Sequence, residues 1–452
     1  MYRALVLALA IAEAAGSGSL VDAVARRDSG AVRSLLRQHA DVNARDADGA
    51  TALQWAAHWN DVETASLLID AGAHVNAAND LGVSPLMLAS TNGSVEMVNR
   101  LLDAGANPNG ATRSGETVLM TAARTGALAV VKALLDRGAA VNAREPNHGQ
   151  TALMWAVAEK HPDISRELLA RGAAPDLRSQ TGLSALMFAA QQGDLASARL
   201  LLAAGADVNQ TAADGNTPLL MASASRAAIT ASNYHLLPKP SDHEAVALAL
   251  VERGAVVSVP DGFGRTALHL AVETRKTQLV QALLSRGANP NARLTRGLPF
   301  RRGDYVSRGG YAGATPFWYA AKAADVALMK ILVAAGADAN LGAQDNTSPL
   351  MAAVGMGEAD SRLPPETQVL EAVTFAIEAG ATVNAVQTRS GQSALHVAAA
   401  IGRMSIIQCL VEHGAALDLA DKQGRTPLAI AEDAGRPRPA AAALIRSLTR
   451  SP

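Results

Sequence analysis

The six residues Thr266-Ala-Leu-His-Leu-Ala271 decide the fold, because close variants of them recur along the whole chain. Ser393-Ala-Leu-His-Val-Ala398 repeats them almost unchanged, and Thr217-Pro-Leu219 repeats their start. A Thr or Ser followed two residues later by an apolar residue, usually Leu, stands at positions 51, 84, 117, 151, 184, 217, 266, 315, 348, 393 and 426. Most successive gaps are 33 residues, one is 34, and three are longer at 49, 49 and 45. A second series, Gly-Ala, keeps step with the first at Gly72, Gly105, Gly138, Gly172, Gly205, Gly254, Gly287, Gly336, Gly380 and Gly414. Self-similarity at a fixed period of this length marks a stack of supersecondary units that bury their apolar faces against one another.

Each element of the repeat has a physical task. The Thr or Ser is a helix N-cap whose hydroxyl accepts from an orphan backbone N–H. Where Pro follows, as at Pro85, Pro218, Pro316, Pro349 and Pro427, it takes the first helical position, which needs no N–H donor. Paired small residues such as Ala56-Ala57 and Ala122-Ala123 let neighbouring helices approach closely. A second helix carries paired leucines (Leu67-Leu68, Leu101-Leu102, Leu134-Leu135) and stops at the Gly, which adopts the left-handed backbone without steric cost. Segments such as Asp46 to Gly49 turn the chain into the next unit.

From about residue 17 to 448 the chain resembles the ankyrin family, on the 33-residue period and the Thr-Ala-Leu-His-Leu-Ala element. The resemblance implies an all-α repeat solenoid of about twelve helix-turn-helix units joined by finger loops. Residues 16–48 then form an N-terminal cap, 49–423 the internal repeats and 424–452 a C-terminal cap, all in one solenoid from 16 to 452. The first unit lacks the Thr-x-Leu start and has His39 where other units have Gly. It presents a polar outer face through Arg26, Arg27, Asp28, Arg33 and Arg37.

Composition narrows the function. A formal net charge of -1 supplies no field to recruit nucleic acid or an anionic membrane. Hydrophobic residues reach 49% while aromatics are 3%, so the core is built from Ala, Leu and Val. The single cysteine, Cys409, rules out an internal disulfide and a cysteine-built zinc site, and reads as a buried structural thiol. Residues 1–15 read as an export signal: Arg3, the apolar run Ala4 to Ala12, then Ala12 and Ala14 around Glu13 as a cleavage site. Export to the periplasm or outside the cell is therefore expected, with no membrane insertion after processing, and the chain is expected to be monomeric.

Three units are longer than the period. Extra residues fall around Ser223 to Asp242, between Arg293 and Ala312, and around Gly355 to Pro365. The second insertion carries Phe300, Arg301, Arg302, Tyr305, Arg308 and Tyr311. It runs into Phe317, Trp318 and Tyr319, which partly pack the next helix. Six of the chain's 14 aromatic residues lie in the 20 positions from Phe300 to Tyr319, and Arg and aromatic residues are the types enriched at interface hot spots. The ankyrin resemblance places this insertion in a finger loop. It also names the usual variable positions, finger tips and first-helix ends, which here include Asp48, Ala50, His58, Trp59, Leu81, Thr91, Asn92, Arg113, Glu116, Arg124, Thr125 and His148.

The function expected is a non-enzymatic scaffold that binds another protein through the groove and the long finger. Phe300, Arg301, Arg302, Tyr305, Arg308, Tyr311, Trp318, Trp59, His58, Arg113, Arg124 and His148 are the candidate contacts. No cofactor, metal or catalytic residue is expected. His269 and His396 read as scaffold that hydrogen-bonds within and between repeats. The alternative is a small-ligand or carbohydrate binder whose aromatic insertion forms a pocket against Trp318 and Tyr319. An enzyme built from the insertions would have only His235, His243, Glu358 and Asp360 to draw on.

Overall fold

The structure, a computed structural model, describes residues 18–224, 241–296, 312–356 and 364–450. The expected export signal at 1–15 lies outside the described residues. So do His235, Glu358 and Asp360, and the finger residues Phe300, Arg301, Arg302, Tyr305, Arg308 and Tyr311. Among the described residues there are 24 α-helices, and the only β-structure is two isolated bridges, Arg45 with Thr51 and Ala111 with Thr117. The chain divides into two compact units, Met1–Ala185 and Leu186–Pro452.

In the first unit the helices are α1 (Leu20–Ala25), α2 (Ser29–Arg37), α3 (Ala52–His58), α4 (Val62–Asp70), α5 (Pro85–Asn92), α6 (Val95–Asp103), α7 (Val118–Thr125), α8 (Leu128–Asp136), α9 (Ala152–Ala158) and α10 (Pro162–Ala170). The boundary falls after the first residue of α11 (Ala185–Gln192), which is followed by α12 (Leu195–Ala203), α13 (Pro218–Ser223), α14 (His243–Glu252), α15 (Ala267–Glu273), α16 (Thr277–Ser285), α17 (Pro316–Lys322) and α18 (Val326–Ala334). After these come α19 (Pro349–Val354), α20 (Glu366–Glu378), α21 (Ala394–Ile401), α22 (Met404–Glu412), α23 (Pro427–Ala431) and α24 (Pro439–Arg450). Odd-numbered helices are the first of each pair, so the described residues contain the twelve helix pairs the period implies.

The caps form as the motif dictates. Thr51, Ser84, Thr117, Thr151, Thr217, Thr315, Ser348 and Thr426 each accept from the backbone N–H three residues on. Ala52, Leu53, Ala56 and Ala57 are fully buried between α3 and its neighbours α1, α4 and α5. Alanine at these places lets the first helices lie close together, while Leu68, Leu101 and Leu134 of the second helices fill the space behind. Burying each such leucine contributes about 1.5–3 kcal/mol.

Second helices end on a left-handed residue. A Cβ added at Gly72 would meet nothing within 4 Å, so glycine is demanded there by its φ of +91° and not by lack of room. His39 holds the equivalent place with φ +57° and pays the steric penalty of a side chain in that region.

A ladder of asparagines joins one pair to the next, a feature the sequence reading did not extract. Asn109 donates its amide to the Gly138 carbonyl (3.2 Å) and accepts from the Ala140 N–H (2.7 Å). Asn43, Asn76 and Asn142 repeat the two bonds in the first unit; Asn209, Asn291, Asn340 and Asn384 do so in the second. Asn209 reaches Gly254 across the first insertion, so the added residues leave the stacking register intact. In the first pair Arg26, Arg27, Asp28, Arg33 and Arg37 are exposed, and in the last pair Arg436-Pro-Arg438 separates α23 from α24.

Two substitutions test this account in equilibrium denaturation. Asn109→Ala removes both rungs at one joint and should cost about 1–3 kcal/mol. His39→Gly relieves the left-handed strain and should raise stability by about 1 kcal/mol; a fall instead would mean that the His39 side chain contributes more than its backbone costs.

Candidate partner-binding surface

A row along the first helices of the first unit comes from the fifth, eighth and ninth motif positions, counting the cap as the first, and its eighth and ninth members reach the surface while Thr121 is buried. These are Trp55, His58 and Trp59 at α3, Leu88, Thr91 and Asn92 in α5, and Thr121, Arg124 and Thr125 in α7. Helical spacing puts residues three and four apart on one face, and stacking of α3, α5 and α7 aligns those faces.

At α3 the aromatic residues form one cluster. The Trp55 indole N–H donates to the Asp46 carboxylate at 2.9 Å, tying the helix to the finger before it. Asp46 also accepts from the Asp48 and Ala50 N–H groups and so shapes that finger. Trp59 stacks on Trp55 with ring centres 6.2 Å apart, and the His58 ring meets it edge-on at 4.7 Å. The Arg27 guanidinium lies 5.9 Å from the Trp59 ring, and the Trp59 N–H donates to the Ala25 carbonyl. Trp59 nevertheless keeps 40% of its surface exposed. Burial pushes the His58 pKa below its ordinary value, so this imidazole is uncharged near neutrality.

Arg124 is held in a different setting. Its guanidinium pairs with Glu116 at 3.3 Å and lies 5.9 Å from the Trp155 ring, and the buried Thr121 hydroxyl donates to the same Glu116 oxygen at 2.9 Å. Arg113 and His148 stand exposed on separate fingers, which are joined to their neighbours through the backbone. The Arg113 N–H donates to the Leu81 carbonyl at 3.1 Å, and the His148 carbonyl accepts from Gln180 at 2.7 Å. Buried Glu145 accepts from the N–H groups of Asn147, His148 and Gln150, which fixes the His148 finger. The structure thus unites His58 with Trp59, and places Arg124, Arg113 and His148 apart from them. Ala50, expected at a variable position, is buried.

The structure corrects the expectation for Trp318. It is 2% exposed, and its indole N–H donates to the Thr347 carbonyl at 3.0 Å. Three other residues at the same motif position make the same link to the residue before the next cap: Gln54 to Val83, His269 to Ala314 and His396 to Arg425. Trp318 is therefore a joint between repeats and is withdrawn from any partner. Tyr319 is also buried, so the pocket imagined against these two rings has lost both walls. The scaffold reading of His269 and His396 agrees with their bonds.

The long finger keeps its root. Leu294 donates to the Ala314 carbonyl at 3.1 Å, and Gly313 donates back to Leu294 at 2.8 Å. This is the pair that closes the short fingers, as Asp46 with Ala50. Arg293 staples the root to Gly313 and Gly342. At the first insertion, His243 meets the Gln191 carbonyl at 3.1 Å, Asp242 caps α14, and Glu244 accepts from Leu279. Cys409 is buried beside Thr374 and His413. No described helix is long and apolar enough to cross a membrane.

Comparison with known proteins follows the same lines. A family model for ankyrin repeats in three copies matches residues 20–112, 106–179, 160–237 and 366–447; a single ankyrin-repeat model matches 263–293 and 312–346. The E3 ubiquitin-protein ligase KEG of Arabidopsis thaliana is 28% identical over 62% of this chain and 18% of its own length. The ankyrin repeat and KH domain-containing protein mask-1 of Caenorhabditis elegans is 33% identical over 59% of this chain and 10% of its own. The human neurogenic locus notch homolog protein 1 is 31% identical over 50% of this chain and 8% of its own. The chain thus spans less than a fifth of each of these relatives. The human ASB11 ankyrin repeat domain aligns at 27% identity and a TM-score of 0.43, over 52% of this chain and 96% of that domain.

The two tryptophans should respond unequally to conservative change. Trp318→Phe removes the indole donor from the Thr347 carbonyl, which keeps only the Ala343 N–H, and leaves a gap in the core; it should cost about 1–3 kcal/mol in urea unfolding. Trp59→Phe should change stability by about 0.5 kcal/mol or less. Equal losses would mean that Trp59 is as much a part of the core as Trp318.

Proposed function

The chain belongs to the ankyrin-repeat family, and from that premise we propose that it is a non-enzymatic scaffold. Its partner is a folded protein or peptide, bound across the first-helix face and fingers of the unit Met1–Ala185. The observation that carries this reading is Trp59. It is a large aromatic side chain with 40% of its surface exposed, already immobilised by Trp55, His58 and Arg27. A rigid aromatic beside an arginine loses little entropy when a partner covers it, which is the character of an interface hot spot.

The neighbouring positions Thr91, Asn92 and Thr125 are exposed and polar, as the rim of such an interface requires. The fingers carry charges of both signs, Asp48 and Asp80 against Arg113, which suits a protein surface better than a phosphate backbone. The sequence of the long finger, with Phe300, Tyr305 and Tyr311 among its arginines, supports a second recognition element in the other unit.

A photo-crosslinking residue in place of Arg113, introduced in the native source, tests this. The adduct should fall by about tenfold or more when Trp59 and Arg124 are replaced by alanine. An adduct retained there but lost on deletion of residues 297–311 would move recognition to the finger. An adduct insensitive to both changes would end the proposal.

A further inference from the structure

We propose that the joint between α15 and α17 is an acid-sensitive latch built on His269, and that it opens when the imidazole Nδ1 takes a proton. Nδ1 lies 3.2 Å from the Thr266 backbone nitrogen and 3.0 Å from its hydroxyl oxygen. A backbone N–H can only donate, so Nδ1 must be the bare acceptor and Nε2 must carry the hydrogen. Nε2 faces the Ala314 carbonyl at 3.4 Å. That carbonyl also accepts from Leu294 and closes the root of the long finger, and the next residue, Thr315, caps α17. One ring therefore ties together the cap of α15, the finger root and the start of α17.

A proton on Nδ1 would set an N–H against the Thr266 N–H and break the first of these ties. The charged groups that face the ring are Asp261 and Arg265 of the finger before α15, which are paired with each other at 2.7 Å and act on it in opposite senses. From α17 the ring meets the edge of Tyr319 at 6.2 Å, and the Ala292 carbonyl lies on the finger side. Burial dominates and lowers the His269 pKa to about 4. The unfolded or opened chain restores the ordinary value, so the latch contributes fully above about pH 6.5 and is lost as the pH falls toward 4. His396 has the same bonds, to the Ser393 N–H at 3.1 Å and the Arg425 carbonyl at 3.1 Å. Burial lowers its pKa too, with Asp421 and Arg425 as the charged neighbours.

The molecule contains its own control. Gln54 makes both bonds without a titratable group: its side-chain oxygen accepts from the Thr51 N–H at 2.8 Å, and its amide donates to the Val83 carbonyl at 2.6 Å. His269→Gln therefore keeps the relay and removes the proton.

Hydrogen–deuterium exchange on the full chain, corrected for the intrinsic pH dependence of the chemical step, reads the latch in peptides covering α15 and α17. Between about pH 7.5 and pH 5, protection there should fall about 30-fold more in the wild type than in His269→Gln. Equal pH dependence in the two would overturn the proposal. A second measurement needs no variant: the His269 ring signal of the folded wild type, followed by NMR, should titrate well below its ordinary range. Titration near 6.5 would overturn the proposal independently of how the glutamine variant folds.

Discussion

A pair of helices of about two turns each cannot enclose a core, and every other feature of this structure answers that constraint. Within each unit the apolar face of a pair is covered by the pairs next to it. Fully buried alanines in the first helices set a close spacing, and leucines in the second helices fill behind them. Because hydrophobic contact is non-directional, it would tolerate a slip or a rotation between neighbours. The directional bonds remove that freedom.

Those bonds come in three rows. The asparagine ladder fixes the ends of the second helices. The finger backbones pair tip to tip, as Leu81 does with Arg113. The fourth residue of the motif, where it is Gln54, His269, Trp318 or His396, satisfies the carbonyl that precedes the next cap. Four residues of three chemical kinds meet one geometric need, which is why the position tolerates exchange while the bond persists. Where the chain gains residues, as between Ser223 and Asp242 or after Leu294, the rows on either side close in register. The insertions are thus additions to a frame that does not depend on them.

A frame held from within leaves its outer side chains available for other uses. In the first unit the row of fifth, eighth and ninth positions ends in an immobilised tryptophan and a paired arginine. The fingers beside them carry mixed charge. The titratable groups near this row, His58 and Glu116, serve packing and pairing.

The repeat period, the caps, the proline starts and the glycine stops were all legible in the sequence, because each rests on interactions within a few residues of chain. The twelve pairs follow from that local code. So does the scaffold role of His269 and His396, on the strength of the family resemblance. The asparagine ladder was written in the sequence at the same period, yet its meaning depends on a carbonyl about 30 residues away. Trp318 shows the limit most clearly. Its place beside Tyr319 and a basic, aromatic finger suggested a contact surface, but a side chain's exposure is set by what packs on it from other repeats. Tertiary structure alone decided that Trp318 turns inward to Thr347 while Trp59 stays open. Burial and long-range hydrogen bonding are properties of the stacked array, and no short stretch of sequence contains them.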